Sequence, residues 1–81
     1  MKIHLRMFAA AREVAGADAI EIMLPAGACV ADVRTALARQ LPALAQMSGQ
    51  LMIAVNHEYA ADDAPIPPDA EVACIPPVSG G

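Results

Sequence analysis

At 81 residues the chain has room for one domain and one core, which favours a binding or carrier role over a self-contained enzyme with a deep cleft. A net charge of −4 argues against a phosphate backbone as partner, and with Phe8 and Tyr59 as the only aromatics there is no stacking platform for single-stranded nucleic acid. No stretch approaches the roughly 20 apolar residues of a membrane span.

The first segment alternates, with Ile3, Leu5 and Met7 against Lys2, His4 and Arg6. That period of two predicts a half-buried strand. The same stretch threads charges where a signal peptide would be continuously apolar, so the chain reads as cytoplasmic and mature as written. Ala9 to Ala15 are mostly good helix formers, and Gly16 supplies a stop. Ile20, Ile22 and Leu24 then alternate with Glu21 and Met23 as a second strand, ended by Pro25 and Gly27.

Val30, Val33, Leu37 and Leu41 recur at helical spacing. The Ala28-Cys29 start lacks a preferred cap, and Asp32 in the first turn compensates through the helix dipole. Pro42 ends this helix or opens a short second one through Met47, and Ser48-Gly49 closes the region. Leu51 to Val55 is an unbroken apolar run, expected as a central strand covered on both faces. His57 to Ala60 is a short strand candidate. Ala61 to Asp69, with Asp62, Asp63 and three prolines, is expected to be solvated loop. Glu71 to Ile75 is the last strand, Val72 and Cys74 on one face and Ala73 and Ile75 on the other. Pro76-Pro77 removes two backbone donors and ends pairing, and Val78-Ser79-Gly80-Gly81 trails off. One amphipathic helix must cover one sheet face, which makes a two-layer α+β domain.

The two cysteines, Cys29 and Cys74, are read as small buried residues rather than a disulfide, and they are too few for a four-cysteine cluster. His4 and His57 lie on different elements without ligand spacing and read as ordinary exposed histidines, so no metal site is expected.

This strand–strand–helix–strand–strand order ending in Gly-Gly resembles the ubiquitin-like β-grasp fold, a mixed sheet of about five strands packed on one main helix. Phe8-Ala9-Ala10-Ala11-Arg12-Glu13-Val14-Ala15-Gly16, Ala54-Val55-Asn56 and Asp69 through Gly81 are similar to the MoaD branch of the MoaD/ThiS sulfur-carrier family. The family often has an Asp-Gly-Asp-Glu turn where this chain has Pro68-Asp69-Ala70, and an aromatic residue where Ile75 stands. The resemblance implies a β-grasp domain over residues 1–75 and a flexible reactive tail over 76–81. It also implies a sulfur carrier in molybdenum cofactor biosynthesis whose terminal Gly81 is adenylated, converted to a thiocarboxylate and used to donate sulfur to a pterin precursor. The implied partners are the large catalytic subunit of molybdopterin synthase, an ATP-dependent adenylating enzyme and a sulfur donor protein. Neither nucleic acid nor a membrane is among them. No cofactor is expected on the chain itself, ATP being used by the activating enzyme. Catalytic residues are expected on the large subunit. A carrier for thiamine or another pathway, a ubiquitin-like modifier and a plain interaction module stay open as alternatives.

The tail suits such chemistry. Gly80 and Gly81 lack Cβ and can enter a narrow channel, Pro76 and Pro77 favour a stiff, extended departure from the sheet, and Val78 and Ser79 supply contacts along the way. Candidate partner contacts are Ile75 beside the tail root, the aromatics Phe8 and Tyr59, and Arg12 and Glu13. Phe8 can equally be core, and Arg12 and Glu13 can equally be a solvated charge pair.

Overall fold

The computed structural model describes residues 1–77, the side chain of Ser48 excepted. Five strands form one sheet in the order β2-β1-β5-β3-β4: β1 (Lys2–Met7), β2 (Ala19–Met23), β3 (Met52–Val55), β4 (Glu58–Tyr59) and β5 (Val72–Ile75). β1 and β5 run parallel, and the other neighbours are antiparallel, which makes the sheet mixed. Two helices, α1 (Ala9–Ala15) and α2 (Val30–Gln40), and a 3-10 segment (Pro42–Gln50) complete the fold.

The alternation in the sequence settles which face each strand buries. Ile3, Leu5 and Met7 are buried while Lys2, His4 and Arg6 are exposed, and Val72 and Cys74 are fully buried on β5. α2 lays Val30, Val33 and Leu37 onto this face, and Leu44, Leu51 and Ile66 fill the ends of the same core. Burying each large aliphatic side chain contributes about 1.5–3 kcal/mol, so this one layer of contact carries most of the stability of so small a domain. Gly16 caps α1 at φ 70, donating its N–H to the Arg12 carbonyl, a left-handed position that glycine takes without strain.

Three expectations from the sequence need correction. β3 is the second strand from an edge, and Met52 is 42% exposed, so it is not covered on both faces. A single helical layer leaves the opposite face of every strand open, and the apolar run there has a different cause. Second, Asp32 compensates for the missing cap through more than its charge, because its Oδ2 accepts from the Cys29 N–H at 2.9 Å, as the N3 acid of a capping box does. Third, Asp62 is not merely solvated. Its Oδ1 accepts from Arg34 Nε at 2.7 Å and its carbonyl from the Ala31 N–H at 2.9 Å, which ties the proline-rich loop to the start of α2. The loop is further held by Ile66, buried in the core, and by a bridge between Cys29 and Pro65. Among the described residues no helix is long and apolar enough to cross a membrane.

Candidate functional site

The open face of the sheet is built by register. Arg6 lies opposite Ala73 on β5, Ala73 opposite Ala54 on β3, and Ala54 opposite Tyr59 on β4. These four side chains therefore form one row across four strands. In the next row Ile75 lies opposite Met52, and the N–H of Phe8 donates to the Cys74 carbonyl at 3.2 Å, which sets Phe8 beside the end of β5. Two alanines stand at the middle of the first row and larger side chains around them, so the face is hollow. The resulting concavity of about 280 Å³ is lined by Arg6, Phe8, Ala54, His57, Tyr59, Glu71, Ala73 and Ile75.

Its rim is apolar and exposed, with Phe8 at 39% and Tyr59 at 66% exposure. Exposed large apolar groups gathered on one face mark an interaction site, whereas scattered ones need no explanation. The Arg6 guanidinium stands 5.5 Å from the centroid of the Phe8 ring, within cation–π range. At the far end, Asn56 and His57 turn the β3–β4 hairpin at φ 51 and 72. Positive φ at both central residues is the two-residue hairpin geometry whose twist matches the strands. Asn56 and Glu71 exchange two hydrogen bonds, Asn56 N–H to the Glu71 carbonyl at 2.7 Å and Glu71 N–H to Asn56 Oδ1 at 3.0 Å. His57 Nε2 then reaches the Glu71 carboxylate at 2.7 Å.

The structure brings Phe8, Tyr59 and Ile75 together around this one hollow. Phe8, which the sequence leaves open between core and interface, stands on the open face. Arg12 and Glu13 are not part of that hollow. They line a shallow groove with Gly16, Ala17 and Asp18, where Arg12 Nη1 lies 3.5 Å from Asp18 Oδ1 on exposed side chains. At the tail root, Pro76 is buried and Pro77 exposed. Val78, Ser79, Gly80 and Gly81 lie outside the described residues. Sequence reasoning missed Arg6, Ala54, Ala73, His57 and Glu71. Ala73 shares a face with Ile75 by strand alternation, a usable signal; the others reach the hollow through pairings between distant segments.

Cys74 is the nucleophile nearest the tail in sequence, and it points the other way. It is fully buried, and burial pushes its thiol up to about 11, with Arg34 opposing only in part. It stays a neutral thiol at physiological pH, and the thiol form is a poor nucleophile. The open face thus offers shape and apolar surface, with the His57–Glu71 pair at its far end.

The chain is thus a ubiquitin-like β-grasp domain with a hollow, largely apolar open face beside the end of β5. The chain belongs to the ThiS family, whose model matches residues 5–81. It is 38% identical over 81 residues to the molybdopterin synthase sulfur carrier subunit of Escherichia coli, covering 98% of this chain and 99% of that one. It is 32% identical over 81 residues to the protein of the same name from Arabidopsis thaliana, covering all of this chain and 84% of that one. Among solved structures it is similar to SAMP1 from Haloferax volcanii, with a TM-score of 0.86, 30% identity and both chains covered in full.

Proposed function

We propose that this chain is the sulfur-carrier subunit of molybdopterin synthase, acting in the cytoplasm through a thiocarboxylate at Gly81. The observation that supports this most is full-length similarity to proteins of that name together with an apolar hollow at the base of the Gly-Gly end. A free carboxylate acylates poorly because oxide is a poor leaving group. An activating enzyme joins the Gly81 carboxylate to AMP, consuming ATP and releasing pyrophosphate. The terminal sulfur of a persulfide on a donor protein then displaces AMP to form an acyl disulfide, and a second thiol of the donor cleaves that S–S bond, releasing the thiocarboxylate and leaving a disulfide on the donor. The thiocarboxylate is a soft nucleophile, as a thiolate is, and it passes its sulfur to a pterin precursor held by the large catalytic subunit.

In this scheme the carrier binds no cofactor. Phe8, Ile75 and Tyr59 seat the large subunit, Pro76 and Pro77 direct the chain away from the sheet, Val78 and Ser79 line its path, and Gly80 and Gly81 enter the catalytic channel. Intact mass spectrometry after incubation with activating enzyme, ATP and sulfur donor tests the proposal. The expected result is a mass gain of sulfur replacing oxygen in the wild-type chain and none in a chain lacking Gly81. Sulfur loading of the truncated chain overturns it.

A second reading has one observation behind it. SAMP1 is a small archaeal modifier protein, and its structure matches this one over the whole chain. Gly81 joined to lysines of other proteins, with no thiocarboxylate formed, is the result that would favour a ubiquitin-like modifier.

A further inference from the structure

Two of the acids near Arg6 are already engaged, and a third, the exposed Asp69, lines an adjoining groove with Lys2, His4 and Arg6. Glu21 lies 3.6 Å from Lys2 Nζ and 3.8 Å from His4 Nδ1, and Glu71, which shares the hollow with Arg6, is held by His57 at 2.7 Å. Among the described residues no carboxylate lies within ion-pair distance of Arg6. Its guanidinium carbon stands 5.5 Å from the centroid of the Phe8 ring, and no side-chain hydrogen bond of Arg6 is seen among the described residues.

The Arg6 fork stands at the edge of an apolar hollow that a docking partner must dehydrate. Arginine does not shed its proton to escape burial, and a guanidinium buried without a counter-charge is strongly unfavourable. We propose that Arg6 determines which protein docks here: the matching surface presents a side-chain carboxylate to the Arg6 fork, ringed by apolar residues that meet Phe8, Ile75 and Tyr59. This rests on the docking role assigned to the same face above. The planar fork takes a carboxylate through two parallel hydrogen bonds, so Arg6 adds orientation as well as charge, fixing how the domain sits and hence where its Gly-Gly end points.

The sign of one substitution decides the matter. Arg6→Leu enlarges the apolar surface, so it tightens binding to a partner that is merely apolar and weakens binding to one that offers a carboxylate. Titration calorimetry with the molybdopterin synthase large subunit of the same organism should show Arg6→Leu weaker than wild type by about 30-fold or more, the lower end for truncating one partner of a buried charge pair. Arg6→Lys, which keeps the charge and loses the fork, should fall between. Thermal melts confirm that both variants fold, as expected for an exposed position. Unchanged or tighter binding by Arg6→Leu, with Phe8→Asp still defective, overturns the role of Arg6 alone. No binding by the wild-type chain, or binding undiminished by Phe8→Asp, overturns the docking reading and this inference with it.

Discussion

The backbone N–H of Phe8 donates to the carbonyl of Cys74 at 3.2 Å, which locks the residue following β1 to the last turn of pairing on β5. Two segments far apart in sequence are thereby fixed as one unit. The aromatic rim of the hollow and the root of the tail keep a constant separation, so a partner that grips Phe8 and Ile75 also sets the place from which Pro77 departs. Under the proposed carrier role, docking and delivery become one geometric act.

Ile75→Asp tests that arrangement directly. Ile75 is half-buried in the hollow beside Phe8, and a carboxylate there meets the apolar surface of the partner unpaired. Binding of the large subunit, measured by calorimetry, should weaken by about 30-fold or more, as for the loss of a central interface anchor. Circular dichroism should remain that of the wild type, since the side chain faces away from the helical layer.

Stability should fall in alkali because of Cys74. Burial raises its thiol from 9.0 to about 11, so the folded state holds this proton longer than the unfolded chain does. The associated stabilisation is complete below about pH 9 and is lost as pH climbs through about 11, at most about 3 kcal/mol in all. Urea denaturation midpoints between these limits should decline for the wild type. The decline should be shallower for Cys74→Ala, whose lower starting stability reflects the small cavity.

Asp69 holds φ 62 in the turn before β5. A left-handed backbone is strained for a residue with a Cβ and free for glycine, and the chain has Pro68-Asp69-Ala70 where the family often has Asp-Gly-Asp. Asp69→Gly should therefore raise stability, by up to about 1 kcal/mol once the extra freedom of glycine in the unfolded chain is allowed for. Thermal melts at neutral pH measure it.

Leu37 is 1% exposed on the face of α2 that meets the sheet. Leu37→Ala should cost about 2–5 kcal/mol, the lost transfer energy plus the cavity left behind. Chemical denaturation checks the magnitude. Amide exchange should rise across β2 and the 3-10 segment, the elements that lie against α2.

Much of this was legible in the chain alone. The alternation of Ile3, Leu5 and Met7, the 3.6-residue spacing of Val30, Val33 and Leu37, and the stop at Pro76-Pro77 are local signals, each set within a few residues by the pleat, the helix or the proline ring. They placed the strands and the main helix, assigned Ile75 to the face opposite Cys74, and put a Gly-Gly end just beyond the last strand. Leu51 to Val55 misled, because an apolar run reads the same whether it is buried on both sides or buried on one and exposed on the other.

Sequence by itself therefore determined the main elements and the buried face of each. The tertiary structure alone decided that β5 inserts between β1 and β3, and that insertion places Ala73 between Arg6 and Ala54 and so creates the hollow. It also decided that Glu71 turns to His57 and leaves Arg6 facing outward. The physical reason is that strand order and register are fixed by pairing between segments tens of residues apart and by the single helical layer that covers them, and no local pattern of residue types carries that information.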